Sequence, residues 1–136
     1  LQDLSFLQGL TNLTSLDLSG CYEVADLGPL SNLKKLTKLR LSGMNVGNNI
    51  QAIQGLTQLQ SLDLSYIKNL DDLTALEKLT NLTTLNLSWS KSVRDLSPLK
   101  RLTNLTALDL SNGNTNLPRS EVRALHVSLK NCKIER

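Results

Sequence analysis

The residues that could do chemistry are few and do not converge. His126 is the one histidine in the 136 residues. No H-E-x-x-H or C-x-x-C spacing and no glycine-rich phosphate loop occurs, so metal hydrolysis, dithiol redox chemistry and nucleotide transfer have no residue set to work with. What does recur is a set of polar and aromatic residues at 23-residue intervals. One column holds Asp17, Arg40, Asp63, Asn86 and Asp109 and a second Gly20, Gly43, Tyr66, Trp89 and Asn112, continued after a shorter interval by Ser128 and Asn131. Alternating charge beside two large aromatics is the chemistry of recognition: opposite charges select a partner, and Trp and Tyr give contact area at low entropic cost. No cofactor is implied, and the expected class is a non-enzymatic binding module.

The interval comes from leucine, which fills 33 positions. Leu13, Leu36, Leu59, Leu82 and Leu105 each open the string L-x-x-L-x-L-S. The alternating L-x-L part predicts a short strand with both leucines turned inward. The rest of each unit spaces apolar residues by three, as in Leu70, Leu73, Leu76 and Leu79, which suits a 3₁₀-like return. In Asp95-Leu96-Ser97-Pro98-Leu99 the serine reads as the cap of that return, with proline just inside it. A lone 23-residue unit cannot bury its leucines. Stacked units build one continuous apolar interior and pair each strand with the next in a parallel sheet.

The chain on these motifs resembles the leucine-rich repeat family. Asp-Leu-Ser-Pro-Leu and Leu-Thr-Asn-Leu-Thr resemble the short repeats of internalin-like bacterial proteins, and Leu-Asp-Leu-Ser-Gly-Cys resembles the cysteine-containing repeats. The resemblance implies an α/β solenoid with a concave parallel sheet and convex 3₁₀ or short helical returns, and a protein ligand bound by the concave face and its ascending loops. At the position where the family carries an inward Asn or Cys, this chain has Cys21, Met44, Ile67, Ser90, Gly113 and Cys132, so the family's side-chain ladder is in question here.

Residues 1–136 read as one repeat domain. It comprises a half coil at 1–9, full coils at 10–32, 33–55, 56–78, 79–101 and 102–124, and a shortened last coil at 125–136 whose final strand falls within 127–134. Leu1, Leu4, Leu7 and Leu10 begin in mid-coil without a cap, which suggests a segment of a longer protein and end-to-end self-association through open ends. A structural spacer or sensor arm, or a designed scaffold of near-uniform repeats, is the competing reading.

Cys21 and Cys132 fall five strands apart, about 24 Å at 4.8 Å per strand. A disulfide needs Cα atoms within about 7 Å, so the expectation is two buried free thiols, which favours a reducing, cytoplasmic setting. Four N-x-S/T matches, at Asn12, Asn81, Asn86 and Asn104, are explained by the repeat motif as readily as by secretion. The net charge of +3 names no partner. Lys34, Lys35, Lys38 and Arg40 make the second coil basic, but Asp17 and Asp63 flank it and no aromatic is interleaved, so nucleic acid is not expected. No apolar stretch reaches the roughly 18 residues of a membrane span. The ligand-binding set is thus Tyr66 and Trp89 as anchors, with Arg40, Lys38, Asp17, Asp63, Asn86 and Asp109 as selectors. His126 is expected on the surface of the last strand.

Overall fold

The computed structural model describes every residue except Asn114. Among the described residues, six three-residue strands form one parallel sheet in chain order: β1 (Ser15–Asp17), β2 (Lys38–Arg40), β3 (Ser61–Asp63), β4 (Thr84–Asn86), β5 (Ala107–Asp109) and β6 (Lys133–Glu135). The register follows the repeat, with Leu16, Leu39, Leu62, Leu85 and Leu108 aligned from strand to strand. A 3₁₀ turn leads into each of the first five strands: Ser5–Leu7, Gly28–Leu30, Gly47–Ile53, Thr74–Leu76 and Ser97–Leu99. The leucines of both halves of every coil meet in a single interior, and from Leu18 to Leu110 they are all buried. Leu13 and Leu16 are only half-buried, because β1 is the sheet edge and no further strand stacks on its outer side.

Carboxylates, not serines, start the returns. The amide of Ser97 donates to Asp95 Oδ1 at 2.8 Å, and the same bond two residues on joins Ser5 to Asp3, Gly28 to Asp26 and Thr74 to Asp72. The serine reading is therefore corrected: Ser97 is the donor, and the short reach of an Asp two residues ahead satisfies the first free amide of the turn. The second coil carries Asn49 at that place, where its side-chain amide bonds the Ala25 carbonyl instead, and its return is a longer 3₁₀ segment.

The coils are also tied by asparagines. Asn81 Nδ2 donates to the Thr57 carbonyl and Asn104 Nδ2 to the Thr80 carbonyl, both at 2.8 Å. An asparagine ladder thus exists, but in the Leu-Thr-Asn-Leu segment before the strand. At the family's own ladder position Ser90 is the residue that reaches back across a coil, its hydroxyl donating to the Leu64 carbonyl at 3.0 Å.

The C-terminus departs from expectation. Helix α1 (Arg119–Ser128) replaces the 3₁₀ return, burying Val122 and Leu125 against the stack, and Glu121 accepts the Leu96 amide. Rising only about 1.5 Å per residue, a helix uses more chain than a short turn to cross the same convex face. The final strand consequently arrives late: Leu108 pairs with Ile134 instead of with Asn131, which the repeat interval would supply. The last coil is longer than the others, not shortened. Ser128, Asn131 and Cys132 do not continue the columns assigned to them, and His126 lies exposed on α1 instead of on a strand. Glu135 takes the place beside Asp109, and Lys133 the place beside Ala107. Cys132 is buried as expected, whereas Cys21 is only half-buried; both are free.

Candidate recognition surface

The outward residues of the strands form two rows fixed by the register. Asp17, Arg40, Asp63, Asn86, Asp109 and Glu135 lie side by side in one, and Ser15, Lys38, Ser61, Thr84, Ala107 and Lys133 in the other. Arg40 Nη1 stands 3.1 Å from Asp17 Oδ2 and its Nε 3.6 Å from Asp63 Oδ2. Pairs this exposed contribute only about 0–1 kcal/mol each. Lys38, Arg40, Asp63, Asn86 and Asp109 share a shallow basin of about 460 Å³ with Lys133 and Glu135. Asp17, Tyr66 and Trp89 do not line it.

Most of the acidic row also has a structural task. In four of its six members the carboxylate or amide oxygen accepts the amide two residues on: Ser19 to Asp17, Ser65 to Asp63, Ser88 to Asn86 and Ser111 to Asp109. The Ser65 and Ser111 hydroxyls donate to the same oxygens. The hydroxyl and amide of Ser19 hold the Asp17 carboxyl below its ordinary value of 3.8. These bonds lock the turn that leaves each strand. Arg40 has no acceptor to give and breaks the pattern; Ser42 below it instead pairs its hydroxyl with that of Ser65 at 2.8 Å.

The turn after each of the first five strands ends on a residue with left-handed backbone: Gly20 (φ 76°), Gly43 (φ 74°), Tyr66 (φ 60°), Trp89 (φ 61°) and Asn112 (φ 53°). Glycine is at ease there and asparagine tolerates it, but a bulky side chain costs roughly 1–2 kcal/mol. Tyr66 and Trp89 nonetheless occupy the position. Their rings stack with centroids 5.4 Å apart and planes within 9° of parallel, and they remain 54% and 40% exposed. Lys91 Nζ lies 5.8 Å from the Trp89 ring centre, within cation–π range.

The structure therefore brings the expected residues together in two places, a charged basin on the sheet and an aromatic lip at its C-terminal edge. Sequence reasoning missed Tyr22, which is 69% exposed and lies over the glycines of the lip. It also missed Lys91, Lys133 and Glu135. The signal for Tyr22 and Lys91 was present, since Tyr22, Asn45, Lys68 and Lys91 share a 23-residue column. Lys133 and Glu135 were hidden by the misplaced last strand.

A profile described as Zer-1-like leucine-rich repeats matches residues 4–71 and again 50–131. No curated protein matches the sequence. Of the solved structures, an internalin (inlF) from Listeria monocytogenes superimposes with a TM-score of 0.81 at 27% identity, over 99% of this chain and 38% of that one. Internalin C2 from the same organism gives 0.78 at 29% identity, over 98% of this chain and 56% of its own. A plant peptide hormone receptor, RGFR1 in complex with RGF2, shares the fold with a TM-score of 0.73 at 22% identity, over 98% of this chain and 22% of that receptor. The chain thus spans between about a fifth and just over half of these proteins. With that profile covering nearly the whole repeat array, the chain belongs to the Zer-1-like leucine-rich repeat family.

Proposed function

We propose that this solenoid is a non-enzymatic binding module that grips a protein partner with Tyr66 and Trp89 and selects it with the charged basin of Lys38, Arg40, Asp63, Asn86 and Asp109, with Asp17 orienting Arg40. The observation that carries the reading is the backbone of the two aromatics. They stand in left-handed positions that the first two coils fill with glycine, so the fold does not require them and is strained by them. An exposed, pre-stacked aromatic pair on a rigid edge loses little entropy on docking. The leucine-rich repeat is commonly an interaction scaffold, and the receptor above was solved bound to a second molecule. An affinity capture comparing the intact chain with Trp89→Ala tests the proposal. A partner retained by the first and lost at least about tenfold by the second is expected, equivalent to the roughly 1.4 kcal/mol or more of a buried anchor. Equal retention overturns it.

A spacer or sensor arm is the second reading. It is favoured by the exposed side chains of Leu1, Phe6 and Leu10, an apolar surface suited to packing against a neighbouring repeat or a second copy. Sedimentation equilibrium separates the two readings. Reversible dimers abolished by Phe6→Glu support end-to-end association, and a monomer at all concentrations excludes it.

A further inference from the structure

We infer that Tyr22 and Tyr66 are the walls of a slot floored by Gly43, and that this slot receives an aromatic ring from an acidic segment of the protein partner. Tyr22 follows Gly20 by two residues, and its ring folds back across the coils. A β-carbon on Gly20 would stand 3.7 Å from Tyr22 Oη, and one on Gly43 3.5 Å from its Cε1. The tyrosine thus covers Gly20 and only edges onto Gly43, which leaves a space between its ring and Tyr66. That space is a groove of about 780 Å³, lined by Gly20, Tyr22, Gly43, Asn45, Tyr66 and Lys68 together with neighbouring serines and Met44. One face of Tyr66 is covered by Trp89. On the side away from Trp89, the register sets Gly43 next to Tyr66, and the preceding coil offers no side chain there.

The chemistry of the occupant follows from the walls and the rim. Two aromatic walls over a glycine floor suit a flat, apolar insert, since rings favour offset or edge contacts at centroid distances of about 4.5–7 Å. The lining holds one cation, Lys68, and no carboxylate. A cationic insert is therefore repelled and an acidic neighbour attracted. A sugar would need several hydroxyl partners, and two of those in the lining are already engaged, the Ser42 hydroxyl by that of Ser65 and the Ser19 hydroxyl by Asp17, so sugar binding is kept as an outcome of the test. An extended peptide with an aromatic residue between acidic ones meets every demand. This deepens the reading above, on which it rests for the statement that the edge meets a protein.

The test is an amide NMR titration of the intact, ¹⁵N-labelled chain with acetyl-Glu-Phe-Glu-amide. Saturable shifts at the Gly20 and Gly43 amides are expected. Acetyl-Lys-Phe-Lys-amide should bind at least about tenfold more weakly and acetyl-Glu-Ala-Glu-amide should give no saturation. Tyr22→Ala should weaken the first peptide by about tenfold, and Lys68→Glu should reverse the preference between the acidic and basic peptides. Equal shifts from the alanine peptide, indifference to Tyr22→Ala, or a stronger response to cellohexaose overturns the slot. The two proposals fail separately. Capture lost in Trp89→Ala without peptide shifts removes the slot alone, and peptide shifts with capture unaffected by Trp89→Ala removes the anchor reading alone.

Discussion

Arg40 is clasped between Asp17 at 3.1 Å and Asp63 at 3.6 Å, in a column where its neighbours use an oxygen to hold the amide two residues on. It forgoes that turn bond for a cation on β2, one strand in from the sheet edge. Arg40→Asn should restore an acceptor for the Ser42 amide, about 0.5–1.5 kcal/mol, while losing two exposed pairs of about 0–1 kcal/mol each. The expected outcome is a urea midpoint equivalent to a change of less than about 1 kcal/mol, together with weaker partner capture. A loss of several kcal/mol would make Arg40 a structural residue.

The aromatic lip should cost the fold nothing to remove. Tyr66→Gly with Trp89→Gly relieves two left-handed side chains at roughly 1–2 kcal/mol each. It sacrifices a stack of about 0.5–1.5 kcal/mol and the greater chain entropy of two unfolded glycines, each about 0.5–1 kcal/mol. Stability within about 1 kcal/mol of the parent is expected by denaturant unfolding. A drop beyond about 3 kcal/mol would mean that the rings serve as a structural cover.

The core behaves in the opposite way. Leu62 is 1% exposed at the centre of β3, and Leu62→Ala leaves a cavity between two coils that cannot close without shifting both. A loss of about 2–5 kcal/mol is expected, measured by the same unfolding assay, with a broadened transition because each coil leans only on its neighbours.

Acid should loosen the turns. Hydrogen bonds hold the carboxyls of Asp17, from the Ser19 hydroxyl and amide, Asp72, from the Thr74 amide and hydroxyl, and Asp95, from the Ser97 hydroxyl and amide, below their ordinary value of 3.8. Groups depressed in the folded state add stability that is complete above that value and lost as pH falls through the folded ones. Stability should hold level from about pH 8 to about pH 5 and decline below about pH 4. Replacing all three by Asn, which keeps an acceptor but cannot titrate, should flatten the decline; an unchanged slope in that variant would reject the assignment.

The two thiols should differ. Burial raises the Cys132 thiol above its ordinary value, and its side chain is largely covered, while Cys21 is half-buried. A disulfide exchange reagent should label Cys21 roughly tenfold faster under native conditions, since thiolate fraction and access both set the rate. Equal rates would show that the last coil opens freely.

The solenoid was legible wherever the chain repeats itself. Leucines at one unvarying interval give strand, register and core together, because one misplaced residue would turn an inward leucine to solvent. The stacking of Tyr66 on Trp89 followed from the same count. Legibility ended where residues leave the pattern. After Leu110 no period remains to mark α1, and the final strand is expected too early. The acidic row looked like a set of pure selectors because a side chain's bond to an amide two residues away leaves no periodic mark. Tyr22 escaped because its own column is polar, and its ring crosses to the glycine column only in three dimensions.

The constant offset of 23 residues between neighbouring strands from β1 to β5 has an unexpected effect on how deletions are tolerated. Excising one residue from a strand inverts every later side chain of that rung, whereas excising residues 33–55 rejoins Asn32 to Leu56, a residue equivalent to Leu33, and leaves all surviving leucines facing home. The shorter molecule would then set Asp17 directly beside Asp63, trading a bridged trio for two adjacent anions. Losing a whole rung is the gentler injury, and its cost is electrostatic.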